Sequence, residues 1–255
     1  MAVLMCVNFA SCSEDDDDFS NGGSNIPKNT IRYQTTDGIR IRFKNEDVFG
    51  GTKIVKHTYS ADDWWVIEFE SDVTAIESEA FYEKENLLNI ILPNSVKTIG
   101  NYAFFGCDAL TSVTIHNSVT RIGEGAFNCC AGLKKVELNC EKIGSWFQGT
   151  GVEEVIIGNN VKTIGNDAFE YCSSLTSVTI GSGVTSIGSS AFKDCDGLTS
   201  IYVKASTPAK IEEYYGTCSL GCDNATLYVP KGSLAAYKAA DGWNEFENIQ
   251  EWDAK

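Results

Sequence analysis

Cysteines are the residues of this sequence whose spacing most resembles a chemical site. Four of them recur at one position of a repeated pattern, and these are Cys107, Cys130, Cys172 and Cys195. In an exported protein, thiols stacked on neighbouring segments could form a ladder of disulfides or hold a metal. We favour a second interpretation, in which each cysteine is a small buried hydrophobe, because the first copy of the pattern has Lys84 at this position. One cysteine per copy also differs from the paired spacing of zinc ligands.

Acid–base chemistry has few candidate residues. His57 lies in an N-terminal region and His116 just past a repeat strand, so nothing in the pattern brings the two together. Glu153 and Glu154 are adjacent, and adjacent residues of a strand point to opposite faces. The sequence contains none of the nucleophile-elbow, phosphate-loop, dinucleotide-binding or zinc-protease motifs. We therefore predict a protein that is not an enzyme, with no cofactor and no metal site.

Composition excludes one class of partner. The chain has 255 residues with 35 acidic and 20 basic side chains, for a formal net charge of −15. A nucleic-acid-binding protein needs a basic face to displace counterions from phosphate, so we expect no nucleic-acid partner. With 43% hydrophobic residues, the chain can still bury a substantial core.

The N-terminus predicts export and a lipid anchor. Residues 1–12 are largely apolar and end in two small residues before Cys12, which resembles the end of a bacterial lipoprotein signal peptide. Residues 13–25 contain Glu14 and four aspartates, followed by serine, asparagine and glycine, and this composition predicts a solvated tether. An acidic run after the cysteine also resembles the surface-export signals of Gram-negative lipoproteins. We predict lipidation at Cys12, an acidic tether over 13–25 and a secreted outer-membrane lipoprotein at the cell surface.

The middle of the chain is an internal repeat. Segments 95–117, 118–140, 160–182 and 183–205 align without gaps, while 72–94 is a degenerate copy and 141–159 a shortened one. Six marker isoleucines keep the register, and these are Ile76, Ile99, Ile122, Ile143, Ile164 and Ile187. A unit of this length cannot bury its own apolar residues, so successive units must stack. Residues 72–205 are therefore predicted to form six coils of a solenoid.

Each coil is predicted to contain a half-buried strand, a second short extended piece, and an Ala-Phe pair that opens a short helical or 3-10 turn. Stacking then places equivalent residues in columns. The phenylalanine column is Phe81, Phe104, Phe127, Phe169 and Phe192, and the leucine column is Leu87, Leu110, Leu133, Leu175 and Leu198. In the shortened coil, Trp146 and Phe147 take the places of Ala and Phe, which should disturb the curvature locally.

This pattern resembles the BspA-type leucine-rich repeat of surface proteins from host-associated bacteria. The resemblance covers 72–205 closely and extends to the end of the chain through Leu227–Val229 and Trp243. It implies a repeat solenoid of the α+β class, coiled right-handedly, with a parallel sheet along one face. It also implies a non-catalytic binding or adhesion role, in some members towards host matrix proteins, although the repeat itself is a scaffold.

Both ends of a solenoid need covering, because an open end exposes apolar columns and strand edges. Residues 26–71 contain four alternating runs, including 39–43, and predict an antiparallel β cap. Residues 206–255 predict a C-terminal cap in which Ser233 caps a helix over 234–240 and Trp243 packs beneath it. Cys218 and Cys222 lie in this region, and the sequence leaves open whether they pair.

The outward strand positions predict a continuous sheet surface as the ligand-binding face. Its candidate residues are Ile91, Ser112, Thr114, His116, Lys135, Glu137, Glu154, Ile156, Ser177, Thr179, Ser200, Tyr202 and Lys204. Most are small and polar, as on any solvated sheet. Ile91, Ile156 and Tyr202 are exceptions, because a sheet face that contacts only water has no need of large apolar or aromatic side chains. We therefore expect this face to contact a protein, either of the host matrix or of a bacterial surface.

Two other functions fit the same sequence. A glycan-binding lipoprotein would need aromatic rings on a flat surface, for which Trp64 and Trp65 are the best candidates, although consecutive strand residues cannot both be exposed on one face. A structural envelope component would self-associate and have no external ligand.

Overall fold

The computed structural model describes residues 26–43, 47–212, 220–222 and 224–254. Cys12, the acidic segment 13–25 and Cys218 lie outside these residues, so lipidation, the tether and the pairing of Cys218 with Cys222 remain predictions. Within the described residues, no helix is long and apolar enough to cross a membrane.

The chain begins with three antiparallel strands and then alternates short and long strands along a solenoid. The first three strands are β1 (Thr30–Thr35), β2 (Ile54–Tyr59) and β3 (Trp65–Phe69). The alternating strands are β4 (Ala75–Ile76), β5 (Leu87–Ile91), β6 (Thr98–Ile99), β7 (Ser112–Ile115), β8 (Arg121–Ile122), β9 (Lys135–Leu138), β10 (Lys142–Ile143), β11 (Glu154–Ile157), β12 (Thr163–Ile164), β13 (Ser177–Ile180), β14 (Ser186–Ile187), β15 (Ser200–Val203), β16 (Lys210–Ile211), β17 (Thr226–Pro230) and β18 (Asn248–Trp252). One α-helix, α1 (Leu234–Ala239), occurs in the described residues, so the helix content is lower than an α+β class suggests.

The long strands after β5 form one parallel sheet of seven strands, in the order β7-β9-β11-β13-β15-β17-β18. Equivalent residues lie in register, so that Val113 pairs with Val136 and Val136 with Val155. The short strands form a second parallel surface that is divided into β4-β6-β8 and β10-β12-β14-β16. The solenoid predicted from the repeat is confirmed.

The apolar columns of the core are also confirmed. Phe81, Phe104, Phe127, Phe147, Phe169 and Phe192 stack with ring centroids 5.0–5.7 Å apart and interplanar angles of at most 10°. The leucines of the second column are buried. Phe147 of the shortened coil takes its predicted place in the stack, which therefore continues through the irregular part of the solenoid.

The turn around each Ala-Phe pair is not helical, which corrects the prediction. The backbone φ is positive at two residues four apart in this turn, with 54° at Tyr102 and 66° at Gly106. Every second N–H points to the next coil, where Tyr102 N donates to Glu124 O at 2.9 Å and Phe104 N to Ala126 O at 2.8 Å. A helix would direct all of these groups along its own axis, so stacking selects this irregular turn.

The N-terminal strands form an antiparallel sheet in the order β2-β3-β1-β5, as predicted for this region except at residues 39–43. Those residues are not a strand. Instead Ile41 is buried, and its N–H donates to the hydroxyl of Tyr33 at 3.0 Å. Since β5 is the long strand of the first coil, the N-terminal sheet joins the solenoid through the pairing of β1 with β5.

At the C-terminus, α1 lies between β17 and β18. Trp243 is buried and packs edge-on against Tyr237 of the helix, as predicted. The predicted side-chain cap is wrong, because the Ser233 hydroxyl donates to Pro230 O at 2.6 Å and makes no bond to the helix N-terminus. Strand β18 was not predicted, and it extends the long sheet by pairing in parallel with β17.

The short-strand surface is interrupted where the repeat is shortened. Ile122 follows Ile115 by seven residues and Ile164 follows Ile157 by seven, but Ile143 follows Leu138 by only five. The connection from β9 to β10 is therefore two residues shorter than its equivalents, and β10 does not reach a pairing position beside β8. The long sheet and the phenylalanine stack cross this point without a break.

Candidate functional site

The outward side of the seven-stranded sheet carries two rows of side chains, because residues alternate between core and surface along each strand. The inward residues are buried, among them Val113, Val136 and Val155. The first outward row is Ser112, Lys135, Glu154, Ser177, Ser200, Thr226 and Asn248, and the second is Thr114, Glu137, Ile156, Thr179, Tyr202, Tyr228 and Gln250. We call this surface the sheet face. It brings together ten of the residues proposed from the sequence.

Three other candidates lie elsewhere. Ile91 lies on β5 opposite Arg32 of β1, so it belongs to the antiparallel N-terminal sheet. His116 follows the end of β7 and is only 9% exposed, which makes its predicted outward position wrong. The alternation of a strand does not extend into a turn, and here the His116 carbonyl accepts the N–H of Val119 at 3.1 Å. Lys204 follows the end of β15 at the edge of the sheet face.

Polar side chains occupy the part of the sheet face nearest β7. The ammonium group of Lys135 lies 3.3 Å from Glu137 and 3.5 Å from Glu154. These ion pairs are largely exposed, and exposed pairs add little stability because solvent screens them. This part of the sheet face has the composition of an ordinary solvated surface.

An aromatic cluster occupies the opposite part, nearest β18. The rings of Tyr202 and Tyr228 stack at 4.5 Å with an interplanar angle of 9°, and Trp252 contacts Tyr202 edge-on at 5.1 Å. The indole N–H of Trp252 donates to Val203 O at 3.1 Å, which fixes the ring over the ends of the strands. All three rings remain partly exposed. Tyr202, Tyr228 and Trp252 are referred to below as the aromatic cluster.

A shallow pocket of about 280 Å³ adjoins the aromatic cluster. Its lining includes Ile156 and Thr179 from the sheet face, Lys204, and the indole of Trp252. Apolar walls with an amine at the rim suit an apolar group that carries a polar or acidic end. Of the three apolar or aromatic residues singled out on the sheet face from the sequence, Ile156 lines this pocket and Tyr202 contacts Trp252 of its wall.

The sequence reasoning missed Tyr228 and Trp252. Tyr228 was detectable, because Leu227, Tyr228 and Val229 alternate as a strand with the tyrosine outward. Trp252 was not, because its position on the sheet face depends on the pairing of β18 with β17, which no local pattern specifies.

Trp64 and Trp65 do not form the flat aromatic platform considered for glycan binding. Trp65 stacks on the buried ring of Tyr33, with centroids 6.4 Å apart. Trp64 lies beneath the guanidinium group of Arg32, at 5.1 Å from the ring centroid. Both rings are therefore covered by the chain itself.

The repeated cysteines are buried thiols that donate hydrogen bonds within the core. The Sγ of Cys107 lies 3.1 Å from Phe81 O, and that of Cys130 lies 3.1 Å from Phe104 O, each in the preceding coil. Burial raises the pKa of the Cys130 thiol to about 12, which opposes formation of the nucleophilic or metal-binding thiolate. In the described residues these cysteines are unbridged, and no group of three histidine, cysteine, aspartate or glutamate side chains is placed to hold a metal.

His57 lies in an aromatic pocket of the N-terminal sheet. The Tyr33 hydroxyl accepts the N–H of Ile41 and shares a hydrogen bond of 2.7 Å with Nε2 of His57. Burial, with a smaller contribution from the charge of Arg40, lowers the pKa of His57 to about 4. The neutral imidazole is thus part of the packed aromatic core of the N-terminal sheet.

Comparison with known proteins places this geometry in context. The family model of the BspA type leucine rich repeat region matches the chain in six copies, over residues 52–146 and 141–227. The crystal structure of the pneumococcal vaccine antigen PcpA is similar, with a TM-score of 0.53 and 20% identity over 71% of this chain. The match spans only 44% of the PcpA chain. This likeness supports the solenoid fold.

Two further structures align with lower TM-scores. A leucine-rich repeat protein of T. pallidum is 21% identical over 74% of this chain and 81% of its own, with a TM-score of 0.39. A leucine-rich cell surface protein of Faecalibacterium prausnitzii is 17% identical over 76% of this chain and 63% of its own, with a TM-score of 0.35. No curated protein matches the chain.

Proposed function

Because the chain belongs to the BspA-type leucine-rich repeat family, we propose that it is a non-catalytic binding protein of the bacterial surface that holds a protein ligand on its sheet face. The observation that carries this proposal is the aromatic cluster beside the pocket of Ile156. A solvated sheet gains nothing by exposing three large rings, whereas tyrosine and tryptophan are enriched at the energetic centres of protein interfaces.

The two parts of the sheet face would contribute differently to binding. The aromatic cluster and Ile156 would be desolvated by the ligand and supply most of the binding energy. The polar part around Lys135 and Glu137 would form a solvated rim, which governs orientation and association rate more than affinity.

The experiment is a binding screen of the full chain against immobilised host matrix proteins and bacterial surface proteins, with a polysaccharide array in parallel. The double variant Tyr202→Ser/Tyr228→Ser should weaken binding of a retained protein by about 100-fold, since hot-spot truncations cost about 2 kcal/mol or more. The control is Tyr59→Ser/Tyr171→Ser, which removes two tyrosines that are 50% and 51% exposed and lie off the sheet face. Equal binding by both variants would place the ligand elsewhere.

Glycan binding is the second candidate, and the same aromatic cluster favours it, because sugar rings also pack on exposed aromatic surfaces. Retention on polysaccharides alone, lost in Tyr202→Ser/Tyr228→Ser, would identify a glycan ligand. Self-association without any retained ligand would instead support a structural envelope component.

Anchoring at the surface rests on the sequence around Cys12. We propose that lipidation at Cys12 attaches the chain to the outer membrane and that 13–25 spaces the solenoid from it. Metabolic labelling with an alkyne fatty acid should mark the protein, and Cys12→Ser should abolish the label while Cys6→Ser retains it. Persistence of the label in Cys12→Ser would refute this anchor.

A further inference from the structure

The interruption of the short-strand surface leaves a groove of about 540 Å³ between β8 and β10. Its lining includes Arg121 and Ile122 of β8, Lys142 of β10, and the side chains of Cys140 and Trp146. The sheet face is formed by the long strands, so this groove is a separate surface. It lies at the shortened copy of the repeat.

Backbone groups that pair elsewhere are left open here. In the preceding coils, Lys97 O accepts the N–H of Thr120 at 2.8 Å, and Ile99 O accepts that of Gly123 at 2.8 Å. The equivalent carbonyls one coil later belong to Thr120 and Ile122, but β8 and β10 are not paired in the described chain. Since an unpaired strand edge is a template for another strand, β8 offers acceptors to an added segment.

The groove also exposes apolar surface that the regular coils cover. Ile122 is partly exposed, whereas the other five marker isoleucines are at most 2% exposed. Trp146, which replaces the small alanine of the repeat, forms another part of the wall and is itself half-buried. An added strand could therefore bury side chains as well as satisfy carbonyls.

Charge indicates what kind of segment fits. Arg121 and Lys142 line the groove, and Lys97 lies beside it, all with exposed side chains. None of the three forms an ion pair within the part of the chain that the structure describes. Glu77 is the carboxylate among the lining residues. On a chain of net charge −15, this excess of unpaired cations favours an acidic occupant.

We propose that this groove binds an extended acidic segment of a protein partner, which adds to the edge of β8 as a parallel or antiparallel strand. Its backbone N–H groups donate to the carbonyls of Thr120 and Ile122, its apolar side chains pack on Ile122 and Trp146, and its carboxylates pair with Arg121 and Lys142. The interaction is a strand addition, in which main-chain bonds give affinity and alternate side chains give specificity.

The probe is a fluorescein-labelled peptide that alternates glutamate and valine, titrated with the full chain while anisotropy is measured. Arg121→Gln/Lys142→Gln should weaken binding about tenfold, because two exposed charge pairs are lost and solvent screens each of them. Lys53→Gln/Lys162→Gln removes the same charge at exposed positions outside the groove and should change affinity less than twofold. Equal losses in both variants would show a nonspecific charge effect and overturn the proposal.

A second variant tests the strand addition itself. Inserting Ser-Val between Cys140 and Glu141 restores the seven-residue spacing and should let β10 pair with β8, as in the regular coils. We expect this variant to keep its far-ultraviolet circular dichroism and lose peptide binding. The same peptide with N-methylated valines should also fail to bind the native chain, because it cannot donate to the β8 carbonyls. Undiminished binding in either case would refute the strand addition.

The chain's own acidic run is the competing occupant. Replacing Glu14 and the four following aspartates with their amides removes it without touching the groove. Unchanged peptide affinity supports a separate partner. Tighter binding of the same peptide with glutamine in place of glutamate, which general charge repulsion does not affect, would show that this run already occupies the groove, and would overturn the proposal of a separate partner.

Discussion

The thiol of Cys130 shows how one repeated residue type serves the core of this molecule. It is small and fully buried, and its S–H reaches the carbonyl of Phe104 in the preceding coil. Valine would be equally well buried there but has no hydrogen-bond donor. Serine has a donor, but burying its hydroxyl costs more desolvation free energy than burying a thiol. The repeat position therefore needs neither a disulfide nor a metal to explain it.

Cys129 and Cys130 give a direct test of this role, because they are adjacent and differ in exposure. Iodoacetamide at pH 8 should alkylate Cys129 of the folded protein and leave Cys130 unmodified, since burial blocks access to the second thiol and raises its pKa to about 12. Peptide mass spectrometry reads both sites in one sample, and unfolding in urea should equalise them. Comparable labelling of the native thiols would contradict the buried position.

His57 makes stability depend on pH. Its pKa is lowered to about 4 in the folded chain, against 6.5 for a free histidine, so protonation favours the unfolded state. The stabilisation is complete above pH 6.5 and declines as the pH falls towards 4, by about 1–3 kcal/mol. Urea unfolding from pH 7 to 4 should show this loss in the native chain and a smaller loss in His57→Gln, whose amide can still form a hydrogen bond with the Tyr33 hydroxyl. Identical pH profiles would rule the effect out.

At the scale of the element, the backbone conformation of each coil is constrained by close contact with the neighbouring coil. The glycine that follows five of the six marker isoleucines illustrates this. A Cβ at Gly100 would lie 2.3 Å from Ser78 N and one at Gly123 2.4 Å from Asn101 N, so glycine there allows neighbouring coils to approach. At Gly144, where pairing is interrupted, the nearest atoms belong to the side chain of Trp146 instead.

This difference predicts unequal costs for the same substitution. Gly100→Ala should lower the free energy of unfolding by about 1–3 kcal/mol, because backbone atoms must move to admit the methyl group. Gly144→Ala should cost clearly less, since the Trp146 side chain can rotate away. Urea denaturation of the two variants gives the comparison, and a larger cost at Gly144 would contradict the interruption of the short-strand surface.

At the scale of the whole molecule, the solenoid is a chain of interfaces between neighbouring coils, and the interface before the shortened coil lacks short-strand pairing. The coils on either side of the interruption are joined by the long sheet and by the stack of Phe127 on Phe147, without the short strands. In a repeat protein, cooperativity depends on such nearest-neighbour terms.

We therefore expect Phe147→Ala to make the two parts of the solenoid, on either side of the interruption, unfold in separate transitions. The substitution removes about 3–5 kcal/mol from the interface that lacks short-strand pairing, and calorimetry should then resolve two transitions. Phe169→Ala creates a similar cavity between coils that share both strand surfaces, so it should lower the melting temperature while keeping a single transition. A single transition in both variants would mean that the interruption does not weaken coupling.

The sequence alone determined the solenoid, its core columns and most of the sheet face. These features repeat, so stacking places a residue such as Phe127 against the equivalent residues of the neighbouring coils. This contact does not depend on the segments outside the repeat. The sequence also located the irregular coil at Trp146 and Phe147, because this copy is shorter than the other copies of the repeat.

Only the tertiary structure decided the features that depend on pairing between non-equivalent segments. The antiparallel pairing of β1 with β5 removed Ile91 from the sheet face, and a turn buried His116. The parallel addition of β18 brought Trp252 to Tyr202, and the shortened connection before β10 opened a groove. Local alternation determines which way a side chain points, but the strand that lies beside it is determined by packing across the whole chain.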